Sequence, residues 1–400
     1  MKTETKTCQN CKHNFVIESE DFDFYKKIQV PAPTFCPECR AIRRMIFWNQ
    51  RQLFRKKEAR TGKEIFSTYP EKAKIEIYDH DFWWSDQWNP MEFGMPVDFS
   101  KPFLEQLREL ILKMPWPSRS IRGLVNSDYC NQASDLKNCY LCFNIGYAED
   151  SLYSIAAQRL HYCLDIYAGL DMDFCYEIYQ GGKCFQCFFS SDINNCRDVW
   201  FSRDCVDCSN CFGCINLRHK QYCWFNEQLT KEEYKRRFKD TWNGSFSGLT
   251  DVQNKFSDLW LRLPHKYLHG LQNVNVSGDY VYRSKNALDV FEVGGLEDVR
   301  YSENLAPVVK DSYDYTNWGE NAELVYEVAS SGDSCRNIKF CFDCWPAMQD
   351  SEYCLNCHSS SYLFGCVGLR SKEYCILNKQ YTKDEYEIQA ANIIQYMMTT

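Results

Sequence analysis

Four cysteines open the chain in two pairs, Cys8-x2-Cys11 and Cys36-x2-Cys39, with 24 residues between them. A Cys-x2-Cys turn aims two thiolates at one tetrahedral ion, and two such turns complete a four-sulfur shell of the kind zinc takes. A shell filled by protein leaves no position for water, so the expected ion is structural, not catalytic. Its binding energy goes into folding, an apparent ~10–16 kcal/mol in zinc-finger peptides. The alternative is four unligated thiols that happen to be paired.

Other clusters carry chemistry less directly. Cys205-x2-Cys208-x2-Cys211-x2-Cys214 has the look of an iron–sulfur or second zinc ligand set, and Cys341-x2-Cys344 and Cys354-x2-Cys357 repeat the spacing. The competing explanation is a repeat in which several interior columns coincide. His80 stands between Asp79 and Asp81, but Trp83, Trp84 and Trp88 beside it point to a packed aromatic plug between domains. Asp165 with Glu177, and Asp192 with Asp204, are the carboxylate pairs that a twelve-residue repeat brings together, as a polysaccharide hydrolase or lyase requires. Neither a serine–histidine pairing nor a Gly-x4-Gly-Lys-Ser/Thr loop is present.

Residues 40–57 read RAIRRMIFWNQRQLFRKK. Continued as one helix, they place Arg40, Arg44, Arg51 and Arg55 on one side, with Arg43 beside them, and leave Ile42, Met45, Ile46, Leu53 and Phe54 for packing. Guanidinium forks held on a rigid helix suit phosphate, so these arginines are the candidate nucleic-acid contacts, RNA among them. The bland alternative is a solvated basic face that pairs with acidic parts of the same chain.

The string Cys8-Gln-Asn-Cys11, Phe15, Glu20-Asp21, Phe24-Tyr25, Pro33, Cys36-Pro37-Glu38-Cys39-Arg40 and Arg43-Arg44 resembles the bacterial probable zinc-ribbon domain, a treble-clef family. The resemblance spans about 40 residues and implies a zinc-binding fold, with no activity attached. The whole chain is similar to a family from small-genome bacteria in which this head precedes a Cys- and Asn-rich body. That family supplies no function. Its members continue past the final helix, so the ending at Met397 to Thr400 is expected to be a truncation.

Charge splits the chain. Residues 1–75 hold 16 Lys+Arg against 9 Asp+Glu, a net of +7, which leaves 30 against 45, or −15, for the remainder. A basic head on an acidic body can meet a polyanion while the body is repelled from it. Four hundred residues with 44% apolar and 25% charged side chains describe an ordinary folded chain of more than one domain or a stacked array. The 24 Cys and 16% aromatics are both high. No apolar signal core opens the sequence and no run spans a bilayer, which predicts a soluble cytoplasmic protein with thiols and metal ligands rather than disulfides.

Those thiols follow a period of twelve. One column is Cys139, Ser151, Cys163, Cys175, Cys187, Val199, Cys211 and Cys223; another is Cys130, Cys142, Ser154, Ile166, Ile178, Ser190, Ser202 and Cys214; a third contains Leu160, Met172, Cys184, Cys196 and Cys208. The residue after the first column gives Tyr140, Leu152, Leu164, Tyr176, Phe188, Trp200, Phe212 and Trp224. Twelve residues are too few for a helical hairpin, and frequent Asn, Asp and aromatics favour short strands and turns, so a parallel β-solenoid with thiols and rings inside is predicted. The coil takes 12 or 24 residues, and the bulky columns favour the larger.

The pattern occurs twice. Phe212-Gly213-Cys214-Ile215-Asn216-Leu217-Arg218 and Tyr222-Cys223 return 152 residues later as Phe364-Gly365-Cys366-Val367-Gly368-Leu369-Arg370 and Tyr374-Cys375. Asn226, Thr230, Glu233 and Tyr234 are answered by Asn378, Thr382, Glu385 and Tyr386, and both Thr-x-x-Glu strings read as capping boxes that open a helical lid. The second array is looser, with Asp298-Val299 and Asp311-Ser312 thirteen apart and no cysteine before Cys335. Elsewhere Arg60 to Lys63 reads as a turn followed by a strand from Glu64 to Tyr69. Ser100 is expected to cap a helix over Lys101 to Lys113 that covers the first rung of the solenoid, and Asp251 to Leu263 to form a linking helix.

The predicted fold is therefore mainly β, with an N-terminal treble-clef zinc ribbon followed by two parallel β-solenoid arrays, each closed by an α-helix. The segments are 1–60, zinc ribbon with basic helix; 61–125, aromatic connector and capping helix; 126–245, first solenoid with cap; 246–272, helical linker; and 273–400, second solenoid with cap. The function expected is a non-enzymatic zinc-binding scaffold whose head contacts nucleic acid and whose body contacts a protein, with no membrane. A carbohydrate-binding or carbohydrate-active β-helix is the alternative.

Overall fold

A computed structural model describes residues 3–303, 328, 338–346 and 348–399, and residues 304–305 and 309–310 by their backbone. Asp311, Ser312 and Cys335 lie outside the described residues. The chain is mainly β, and seven α-helices occur among the described residues: α1 Ser19–Lys27, α2 Pro37–Met45, α3 His80–Trp84, α4 Phe103–Lys113, α5 Lys231–Thr241, α6 Phe246–Trp260 and α7 Lys383–Met397. None is long and apolar enough to cross a membrane. Two compact units form, one from residues 50–71 and 117–265, the other from 1–49, 72–116 and 266–400.

The first of these is organised by an 11-stranded sheet in which sequential strands from Ile121–Val125 to Glu227–Gln228 are neighbours. Every parallel pair in it joins residues twelve apart: Ile155 with Tyr167, Tyr176 with Phe188, Arg197 with Ser209. The pairing interval is thus twelve, not the 24 that bulky columns suggested. The reason lies in a finer period of three. From Cys130 to Cys214 every third residue is buried except Gly181, which is half-buried, and these positions hold Cys, Ser, Ala, Gly, Val, Ile, Leu and Met but no aromatic.

The third residue of each triplet takes a left-handed backbone, as at Asp135 (φ 57°), Asn138 (φ 54°), Asp171 (φ 54°) and Asp207 (φ 54°). Asn and Asp tolerate that region better than other side chains with a Cβ, which accounts for their abundance in the body. Turning this often aims carbonyl groups inward, and the interior side chain answers them. Cys163 Sγ donates to the His161 carbonyl (3.3 Å) and Cys208 Sγ to that of Val206 (3.3 Å). Ser151 and Ser202 do the same to Glu149 (2.9 Å) and Trp200 (2.8 Å). Ser and Cys alternate in one column because both are small and both supply a donor there.

The rings therefore stand outside, a correction to the predicted interior. At the strand spacing of a sheet, like residues meet face to face. Phe212 and Trp224 stack at 4.3 Å and 6°, Phe189 and Phe201 at 4.7 Å and 8°, and Tyr167 and Tyr179 at 5.1 Å and 5°. Where the stack is most apolar, α5 and α6 cover it with Tyr234, Phe238, Trp242, Leu249 and Val252. At the other end the antiparallel hairpin Phe54–Lys57 with Glu64–Ser67 brings Phe66 to 4.6 Å from Tyr129.

The second unit contains the looser array. Its interior runs through Val281, Ser284, Ala287, Val290, Val293, Leu296 and Val299, and later through Cys354, Cys357, Ser360, Leu363, Cys366 and Leu369. Single-residue slips explain the irregular spacing: Val276 pairs with Ala287, eleven on, Leu296 with Val309, thirteen on, and Lys339 with Glu352, thirteen on. Helix α4 belongs to this unit, not to the first rung of the first array. Phe103 packs on Phe364 (5.1 Å between ring centres). Ser100 does not cap it. Its hydroxyl is held by the Asp98 carboxylate (2.6 Å), and the helix starts after Pro102, whose fixed φ of −53° precedes the first turn. The tryptophan cluster also packs within this unit: Trp83 is buried against His358 (5.7 Å) and donates to the Pro115 carbonyl (3.3 Å).

Both arrays end alike. Asn226 accepts from the Ile215 N–H (2.8 Å) and donates to the Ile215 carbonyl (2.9 Å). Asn378 does the same with Val367, both at 2.8 Å. Each amide replaces the strand that would come next and so closes an open edge. The lids then start at Thr230 and Thr382. Thr382 and Glu385 form the reciprocal capping box, whereas Glu233 is occupied by Arg236 and Arg237 and only the Thr230 half is made.

Candidate metal centre

The head is built to hold four sulfurs together. Strands Glu4–Thr7 and Asn14–Ile17 pair antiparallel, and the turn between them carries Cys8 and Cys11, with Lys12 at φ 65°. Cys36 is the N-cap residue of α2, Pro37 fills its first position, and Cys39 lies in its first turn. Phe15, Ile17, Phe22, Phe24, Tyr25 and Ile28 form the core beneath, with Phe340 of the array packed against it.

The sulfurs of Cys8, Cys11, Cys36 and Cys39 all lie within 4.8 Å of one another, and Cys11 and Cys36 are 3.7 Å apart. Zinc–sulfur bonds of about 2.3 Å in a tetrahedron require about 3.8 Å between sulfurs, so the set fits such an ion. N–H groups point at it, as a thiolate needs: Cys36 N–H to Cys8 Sγ at 3.3 Å and the Asn10 amide to Cys39 Sγ at 3.3 Å. Burial pushes the Cys8 thiol up, but the N–H groups of Cys36, Cys11 and Asn10 outweigh it and lower the group to about 6. Cys205, Cys208, Cys211 and Cys214 form no such group. Among the described residues the head is the one set of thiols gathered this closely. The run of four is the triplet repeat itself, each thiol turned to the carbonyl two residues before it at 3.3–3.5 Å.

The arginine stripe does not form. Helix α2 ends at Met45, so Arg51 follows it as an exposed loop residue and Arg55 sits on a strand, paired with Glu64 at 3.1 Å and lying over the Phe66 ring. Within α2 the expected faces are inverted. Arg40 and Arg44 are buried, at 1% and 5% exposure, while Ile42, Met45 and Ile46 are exposed. Arg40 donates to the Phe35 carbonyl (2.8 Å) and lies 5.6 Å from the Tyr301 ring centre, so it ties the helix to the array. Arg43 is exposed, stacked over Phe35 at 4.8 Å.

The stacked carboxylates divide in two. Asp165 and Glu177 follow the paired residues Leu164 and Tyr176, and Glu177 is raised by burial and by the charge of Asp165. Asp192 is instead bound by Arg203 at 3.2 Å.

A second knuckle went unread in the sequence. The hairpin Phe54–Lys57 with Glu64–Ser67 has the register of Glu4–Thr7 with Asn14–Ile17, displaced by fifty residues. Glu58 and Thr61 stand where Cys8 and Cys11 stand, and the turn bonds repeat: Cys8 N–H to His13 O at 2.8 Å, Glu58 N–H to Lys63 O at 2.9 Å. The buried Glu58 carboxylate accepts from the Thr61 hydroxyl and N–H, so hydrogen bonds close this turn where sulfur closes the first. The signal was the shared spacing of Lys12 and His13 with Gly62 and Lys63, hidden by the loss of cysteine. Compared with protein-family models and with curated proteins, the chain matches none.

Proposed function

We propose that this chain is a non-enzymatic binding scaffold of the reducing cytoplasm, with a treble-clef zinc ribbon at its head and two closed twelve-residue β-solenoids as its body. The observation that carries it is the convergence of Cys8, Cys11, Cys36 and Cys39 within 4.8 Å. Four protein sulfurs saturate zinc, which then fixes structure and performs no reaction. Ladders at interval twelve, with one residue in three turned inward, support closed coils, and a protein partner would meet the parts of their outer faces that the helices leave uncovered.

The test is elemental analysis of purified protein. One zinc per chain, lost in Cys39→Ser and kept in Cys208→Ser, is expected; iron, or several zinc ions, would overturn the reading. Of the arginines expected to contact nucleic acid, Arg43 is the exposed one on the head, while Arg51 and Arg55 are exposed in the other unit, and a nucleic-acid role would rest on each separately. Unchanged, salt-independent RNA retention after their change to Glu removes it. The carbohydrate reading keeps one supporting observation, the adjacency of Asp165 and the raised Glu177. Glycan binding abolished by Asp165→Asn with the fold intact would favour it.

A further inference from the structure

Within the second unit, a cavity of about 460 Å³ lies between one side of α1 and the start of the second array. Its size suits a small molecule, whose sites span roughly 300–1,000 Å³. Helix α1 contributes Glu20, Asp23, Phe24 and Lys27, which are three and four residues apart and so share one side of the helix. The array contributes Asn275, Asn286 and Asp298, with Leu288 and Arg300 beside them.

The array wall is polarised. The Asn275 amide donates to Asn286 Oδ1 (3.0 Å) and the Asn286 amide to Asp298 Oδ1 (2.8 Å), so the row uses donors along its own length and ends on a carboxylate. Asp298 Oδ2 is left to accept from a ligand. On the other wall Glu20 takes the Ser19 hydroxyl (2.9 Å), and among the described residues neither Glu20, Asp23 nor Asp298 forms an ion pair. Arg300 brings no net charge, since the buried Asp21 binds it at 3.1 Å. Three carboxylates against Lys27 therefore leave the cleft at −2. Acceptors on both walls and surplus negative charge call for a donor-rich cation.

A single metal ion does not fit. Glu20, Asp23 and Asp298 do not gather within 4.8 Å, as ligands of one ion must. Charges held apart match a ligand whose ammonium groups are separated by methylenes, and Phe24 and Leu288 supply the apolar surface on which those methylenes lie.

We propose that this cleft binds a short aliphatic polyamine, with one ammonium group at Glu20 and Asp23 and another at Asp298. The site does not depend on the function proposed for the arginines or on which metal the head holds.

The test is calorimetric titration of spermidine into the purified full chain, with butylamine, Mg²⁺ and a Lys-rich peptide as comparisons. Spermidine should bind at one site per chain, at least tenfold more tightly than the single ammonium of butylamine, and Mg²⁺ at equal concentration should not displace it. Asp23→Asn and, separately, Asp298→Asn should weaken binding at least tenfold with the melting temperature unchanged, since both residues are exposed and an Asn carbonyl at 298 still accepts from Asn286. Glu232→Gln, an exposed carboxylate of α5, should leave binding as it is. No binding, binding indifferent to both Asp substitutions, or equal loss in Glu232→Gln would overturn the proposal. So would displacement by equal Mg²⁺, which would mean general counter-ion attraction, or tighter binding of the peptide, which would assign the cleft to a basic protein segment.

Discussion

Arg300 donates to Asp21 at 3.1 Å, joining two residues 279 positions apart in the sequence. Asp21 is the N3 residue of α1, where it also accepts from the Glu18 N–H at 3.0 Å, so one carboxylate starts the helix and fastens the head to the second array. Its side chain is 2% exposed and that of Arg300 16%. Arg300→Met leaves Asp21 buried without that partner and is expected to cost about 3–5 kcal/mol. Urea unfolding of Arg300→Met, Asp21→Asn and the double variant measures it, and the double should cost clearly less than the sum of the singles.

Asn378 and Asn226 make the same two bonds but stand in different surroundings. Asn378 is fully buried and also donates to the Pro90 carbonyl at 3.1 Å, whereas Asn226 is exposed. In Asn378→Ala the Val367 N–H and carbonyl lose their partner out of reach of water, at about 1–3 kcal/mol for each group. Water replaces the amide in Asn226→Ala, which should cost well under half as much. Paired thermal melts of the two variants decide it.

Interior volume is shared between triplets. A Cβ at Gly181 would come within 2.4 Å of Met172 Cε and 2.8 Å of Ile178 Cγ2. Gly181→Ala is expected to cost about 1–3 kcal/mol by overpacking. Shortening the neighbour in Met172→Val should recover part of that loss in the double variant, as read by denaturant midpoints.

His358 gives the array an acid sensitivity. Burial lowers its imidazole to about 4, while its Nδ1 lies 2.7 Å from the Trp345 carbonyl. In the unfolded chain the ring titrates near ~6.5. As pH falls below that value the unfolded chain takes up a proton that the folded chain refuses until about 4, so stability drops through this window. His358→Gln should flatten the dependence by close to one proton between those limits, measured as unfolding free energy against pH. A slope identical to wild type would show that the ring does not carry it.

Repetition made much of this fold readable. Each strand of the arrays repeats the environment of the strand before it, so a demand for a small donor-bearing side chain at one position recurs every twelve residues and leaves a column of Cys and Ser. Three interior columns were visible that way. The fourth, Ala133, Ile145, Ala157, Gly169, Gly181, Ile193 and Cys205, was not, because ordinary small and aliphatic residues fill it. The Asn caps and lids could be read for a related reason, since the same ending was written twice.

What the sequence determined by itself were the local relations: the two Cys-x2-Cys knuckles, the period of twelve, the doubled array and its lids. All follow from spacing along the chain. Only the tertiary structure decided which side of each element faces in. Helix α2 looked like a basic stripe over an apolar core, yet Arg40 found the Phe35 carbonyl and the Tyr301 ring, a site made by residues more than 250 positions downstream as well as by its neighbours. The rings of the body looked like core, yet a turn closed every three residues leaves room inside for a thiol and none for an indole. Amphipathicity tells which residues share a face, and the space available in the fold tells which face is buried.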